Sequence, residues 1–166
     1  MSTSVFVNTY AYSVTYVADN ILRSFKEIIR ESGLSPENLT KEWSVLQRGI
    51  STWLGSRHLR RVVLEVYDPR NTKLVGRWDF DISYGLQGDG TMWLNTEDVR
   101  YHILKAGCWP STCDYEIIVS NDPDRPEVAG WCSTRFRSTD GFVRQSIGTT
   151  IDASGIAAGA AYWRRA

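Results

Sequence analysis

Two carboxylates stand two positions apart in the run Arg77-Trp78-Asp79-Phe80-Asp81-Ile82. On a strand that spacing puts both on one face. A pair so placed can hold a divalent cation or share acid–base work. The same alternation describes the wet face of a half-buried sheet, with Trp78, Phe80 and Ile82 turned inward. Asp79 and Asp81 are therefore read as sheet-surface carboxylates. The two histidines, His58 and His102, fall in a turn and on a helix, with no motif around either. Cys108 and Cys113 enclose Pro110 and lack a second Cys or His pair at zinc spacing. The stretch Gly85-Leu86-Gln87-Gly88-Asp89-Gly90 is glycine-rich. It follows an antiparallel hairpin and lacks the strand-to-helix setting of a phosphate loop. No serine sits in a recognisable nucleophile turn. No catalytic residue, metal ligand or cofactor is assigned, and the chain is expected not to be an enzyme.

The basic clusters Arg57-His58-Leu59-Arg60-Arg61 and Arg164-Arg165 sit in a chain with 19 Lys plus Arg against 19 Asp plus Glu. A net charge of zero supplies no general field toward nucleic acid or an anionic membrane. These clusters are read as solvated surface, and sequence-specific nucleic acid is not an expected partner. The 166 residues are 42% hydrophobic and 23% charged, the profile of one soluble globular domain. No apolar run approaches the ~20 residues of a membrane span. The start, Met1 to Val7, has no basic region followed by a long apolar one, so no secretory signal is expected. With three cysteines, an odd count, the expectation is a reducing cytoplasm.

The elements that must position any site are legible from periodicity. Val14, Val17, Ala18, Ile21, Leu22, Phe25, Ile28 and Ile29 fall three or four apart, the stripe of an amphipathic helix stopped near Gly33. Met1 to Tyr12 reads as a polar, aromatic lead-in. A second helix starts at Ser35-Pro36-Glu37 and runs, with a break, through Leu39, Trp43, Leu46, Ile50 and Trp53 to Gly55. The period then drops to two. Arg61–Tyr67 and Lys73–Tyr84 form a hairpin around Asp68-Pro69-Arg70-Asn71. Asn95 or Thr96 caps a third helix to Ala106, with Val99, Ile103 and Leu104 as its buried stripe. Tyr115–Val119 is the last clear strand. Segregated helices and antiparallel strands make this an α+β domain.

The remaining segment, Asp122–Ala166, is neither tail nor plain sheet. It opens with Asp122-Pro123-Asp124-Arg125-Pro126. It then alternates anchors (Trp131, Phe136, Phe142, Val143, Trp163) with Gly130, Gly141, Gly148, Gly155 and Gly159. Aromatics argue against disorder, and so many glycines argue against an ordinary domain edge. The segment reads as a strap over a core, or as a pair of short strands with irregular loops. An open edge at Tyr115–Val119 would accept an extended peptide by strand addition, and the strap could close over it.

Taken in order, Tyr12–Val17, Asn20–Leu22, Thr52–Gly55, Leu64–Tyr67, Arg77–Ile82, Tyr84-Gly85, Arg137–Gly141, Gln145–Thr150 and Tyr162–Arg164 carry a resemblance. The chain resembles the bacterial HORMA-domain proteins encoded beside a CD-NTase in CBASS anti-phage operons. That resemblance implies three helices on an antiparallel sheet, with residues 1–121 as core and 122–166 as a mobile safety belt. It implies a non-catalytic adaptor that binds a closure-motif peptide along Tyr115, Glu116, Ile117, Ile118 and Val119, with Val99 and Ile103 beside it. Trp131, Phe136, Phe142, Val143 and Trp163 would anchor the belt. The closed form would switch on the CD-NTase, whose cyclic oligonucleotide activates an endonuclease. An AAA+ ATPase would reopen the belt by pulling the N-terminal lead-in off the sheet. A fixed-belt structural or oligomeric protein, and a small metal-dependent hydrolase using Asp79 and Asp81, are the readings from other classes.

Overall fold

The computed structural model describes the backbone of residues 3–85 and 91–166 and the side chains of residues 10–85 and 91–166. Most of the glycine-rich loop, residues 86–90, lies outside these. Helix α1 spans Thr3–Glu31. The stripe from Val14 to Ile29 is buried along it. The Tyr10–Tyr12 lead-in is therefore part of the helix, and not a segment laid on the sheet. Gly33, at φ +95°, ends α1, and the Leu34 N–H reaches back to the Ile29 carbonyl at 3.0 Å. Only glycine adopts that left-handed turn cheaply.

The expected second helix is two: α2 (Glu37–Lys41) and α3 (Trp43–Gly55), broken at Glu42. Ser35 Oγ accepts from the Glu37 N–H at 3.3 Å. With α4 (Thr96–Ala106) the described residues form four helices where three were expected. Asn95 caps α4, its side-chain oxygen accepting from the Asp98 N–H at 3.1 Å.

The strands are β1 (Leu59–Tyr67), β2 (Leu74–Tyr84), β3 (Trp93–Leu94), β4 (Asp114–Asn121), β5 (Phe142–Ala153) and β6 (Ile156–Arg165). They form one sheet in the order β3-β5-β6-β2-β1-β4, and every pairing is antiparallel. Val62, Leu64 and Val66 of β1 and Trp78, Phe80 and Ile82 of β2 point into the core beneath the helices. In the last quarter the pair of strands is the hairpin β5–β6, longer than the short strands expected. Ile156, Ala158, Ala160 and Tyr162 lie buried on the helix face. Ala157, Gly159, Ala161 and Trp163 take the other. Small side chains on both faces leave no polar–apolar alternation to read, and they let α1 pack against β5 and β6. No described helix is long and apolar enough to cross a membrane.

Candidate functional site

Strand β4 is an edge strand, paired on one side with β1. Its odd-numbered residues Tyr115, Ile117 and Val119 face the helices and pack partly on the core. The Tyr115 hydroxyl donates to the Ser35 carbonyl at 2.8 Å and accepts from the Leu39 N–H at 3.2 Å. Burial pushes this phenol above its ordinary range, with the backbone bonds from Leu39 and Asn38 opposing the shift. Glu116 and Ile118 face the opposite side of the sheet, across from Glu65 and Val63. Beyond Tyr115–Val119, the strand continues through Asn121.

The chain leaves β4 at Asp122, which Arg60 holds through paired guanidinium bonds, one of 2.9 Å from Nε. Those bonds keep the Asp122 carboxyl below its usual range. The segment then runs along the helix side. The Trp53 indole N–H donates to the Pro126 carbonyl at 2.7 Å, and the Arg125 guanidinium lies 5.8 Å from the Trp53 ring centre. Trp131 docks on α3. Its indole N–H donates to the Val45 carbonyl at 3.0 Å, and its ring meets Trp53 edge-on at 5.0 Å. The seat exists because position 49 is glycine: a Cβ there would lie 2.2 Å from Trp131 Nε1.

Six residues later the chain is on the other face of the sheet. The Arg137 N–H donates to Glu65 Oε2 at 2.9 Å, and its guanidinium reaches Glu65 Oε1 at 2.8 Å, Glu116, and the Thr72 carbonyl at 2.9 Å. The same guanidinium lies 3.7 Å from the Tyr67 ring centre. Glu65 is fully buried beneath it. Burial alone would lower the Arg137 guanidinium; its bonds to Glu116 and Glu65 raise it instead. Phe136 lies against Arg77, 4.9 Å from ring centre to guanidinium. From Trp131 to Arg137 the chain thus wraps around the free edge of β4 from one sheet face to the other.

Between strap and edge lies space. A cavity of about 410 Å³ runs along Ile117–Asp122 and is lined on the strap side by Trp131–Phe136. A second, of about 180 Å³, continues past Tyr115–Ile117 and is walled by Leu39, Glu42 and Leu46. Ile117 lines both. An edge strand with unpaired backbone groups, an apolar wall and a strap outside it has the geometry of a slot for one more strand.

Four expectations need correcting. Leu104, expected in the buried stripe of α4, is exposed. Val99 and Ile103 are buried on α4, which packs on α1 and β5, far across the sheet order from β4. They are core residues of the other end. Val143 is about half exposed on β5, opposite Arg164, and does not join the buried core. Asp79 is not on a wet face. It is fully buried, paired with Arg77 at 2.7 Å and bonded by the Trp163 indole N–H at 3.1 Å. Asp81 pairs with Arg61 at 2.6 Å and Arg144 at 2.8 Å. Both carboxylates are committed to arginines. Among the described residues, no cluster of His, Cys, Asp and Glu could hold a metal ion. Phe142 opens β5 under the Arg165 guanidinium, at 4.7 Å. The three cysteines are free thiols, Cys108 and Cys132 exposed. Sequence reading missed Gly49, Glu65 and Arg137. A glycine inside a helix pattern was the one available signal.

Over residues 2–166 the sequence matches the family model described as Bacterial HORMA domain 2, and the chain belongs to that family. No curated protein matches it. Several solved structures share the fold. A chain from the crystal structure of the mitotic checkpoint complex aligns with 95% of this chain over 97% of its own, at 12% identity and a TM-score of 0.76. C. elegans HTP-2, solved bound to the HIM-3 closure motif, aligns over 93% of this chain and 87% of its own, at 13% identity and 0.67. A chain of the E. coli MS115-1 CdnC:HORMA-deltaN complex aligns over 94% and 89%, at 10% identity and 0.58.

Proposed function

We propose that the protein is a non-catalytic adaptor of a CBASS anti-phage system, working in the cytoplasm. Residues 122–166 form its movable belt, and Tyr115–Val119 is the docking edge for a closure-motif peptide. The observation that carries this reading is the path of the strap. It crosses the β4 edge from Trp131 on one face to Arg137 on the other, leaving a cavity of about 410 Å³ against the strand. A strap bonded to β4 would block strand addition, and a strap elsewhere would not retain the peptide. We read this arrangement as the closed form.

In this form the adaptor binds and switches on a CD-NTase that makes a cyclic oligonucleotide, a trinucleotide, which activates an endonuclease. An AAA+ ATPase opens the belt and ends the signal. Support comes from membership of a bacterial HORMA family and from the shared fold with a chain solved in a CdnC:HORMA complex. Reconstitution tests it. A CD-NTase that co-purifies with this chain is assayed for nucleotide product alone, with the chain, and with chain plus a peptide selected for binding. Product formed only in the third mixture supports the proposal. Equal synthesis in all three rejects it.

A further inference from the structure

The two cavities along β4 differ in charge, and this bears on what the slot holds. At the Asn121 end the wall carries Arg125, half-buried against Trp53. The nearby Asp122 carboxylate is occupied by Arg60. Arg135 lines the same cavity from the strap. Neither Arg125 nor Arg135 is ion-paired among the described residues. At the Tyr115 end the wall carries Glu42, exposed and also without an ion-pair partner among the described residues. Glu116 faces the opposite side of the sheet and shares Arg137 with Glu65. Ile117 lines both cavities, between Arg125 and Glu42, and Leu39 and Leu46 share the second cavity with Glu42 as its apolar wall. Side chains of an added strand alternate between faces, so every second one enters this helix-side wall.

Resting on the strand-addition reading, we propose that the ligand is an extended peptide of defined charge order. It carries a carboxylate facing Arg125, an aliphatic or aromatic side chain over Leu39, Leu46 and Ile117, and a cation facing Glu42. Complementary charges at the two ends fix register and direction, because the reversed peptide would set like charges together at both.

Selection from a random nine-residue peptide library tests this, run on the wild-type chain and on the Glu42→Lys/Arg125→Glu variant. Among the described residues neither substituted position makes an ion pair, so the variant should fold, and circular dichroism checks it. Wild-type binders should carry an acid and a base on either side of an apolar residue. Replacing that acid by its amide should weaken binding about tenfold. Binders of the variant should show the opposite charge order. Binders without charge preference, or with the same order for both proteins, would overturn the charge rule and leave strand addition standing. No binders to either protein would overturn strand addition itself, and the charge rule with it.

Discussion

Gly49→Ala separates belt from core more sharply than any other single change. In an exposed helix alanine is favoured over glycine by about 1 kcal/mol, so α3 alone should gain. The new Cβ would stand 2.2 Å from Trp131 Nε1 and 2.4 Å from Cε2. A rigid indole cannot absorb that overlap. The other side of the seat has no slack either, because Gly130 is at φ +93° with Val45 against it. Trp131 must leave. It then loses the bond to the Val45 carbonyl, worth about 1 kcal/mol, and the edge contact with Trp53, worth about 0.5–1.5 kcal/mol. Adding the burial of a half-covered ring, the closed belt should lose about 2–3 kcal/mol. Peptide affinity should fall roughly 30- to 150-fold. Fluorescence anisotropy with a selected peptide measures this, and denaturant unfolding follows the core in parallel. Trp131→Ala should weaken binding to a similar degree. The double variant should lose little beyond either single one, since both remove the same contact. Wild-type affinity in Gly49→Ala, or a core loss equal to the binding loss, would refute the claim that Trp131 serves the belt.

Arg137→Ala should strand the buried Glu65 carboxylate and destabilise the closed form by about 2–4 kcal/mol; Arg137→Ala/Glu65→Gln should recover part of that, read by trypsin cleavage of the strap. Asp79→Asn should cost about 3 kcal/mol in urea unfolding, because it leaves Arg77 buried without its partner, whereas Asp81→Asn should change stability by less than about 1 kcal/mol. Deleting residues 1–9 spares Tyr10, whose hydroxyl donates to the Leu54 carbonyl at 3.0 Å, so peptide binding should persist while ATP-driven release by the proposed AAA+ ATPase slows. Normal release from the truncated protein, followed by peptide dissociation, would assign the handle elsewhere.

Local features were legible in the sequence where one face differed chemically from the other. The α1 stripe, the β1–β2 hairpin and the Asn95 cap all depend on spacing within a few residues, and each stands where its pattern placed it. Strand β6 was foreseen only as one of a pair of short strands without bounds, because alanine and glycine occupy both its faces. A break in the second helix was expected without a position; it falls at Glu42 and makes two helices. Val99 and Ile103 were read correctly as buried and wrongly as neighbours of β4, since periodicity says which face is covered and not by what. The clasp of Arg137 on Glu65 joins positions 72 residues apart. No local pattern encodes such a pairing. Asp79 looked like surface because its partner, Arg77, lies on the same strand face and is covered by Phe136 and Trp163.

Amide hydrogen exchange on β4 tests most directly whether its edge receives a strand under the belt. On adding a selected peptide, the outward-facing amides between Tyr115 and Asn121 should slow strongly, in alternation along the strand, while those bonded to β1 change little. Exchange across the Trp131–Arg137 strap should slow as well. Tight binding with β4 exchange unchanged, and protection confined to another surface, would contradict the account.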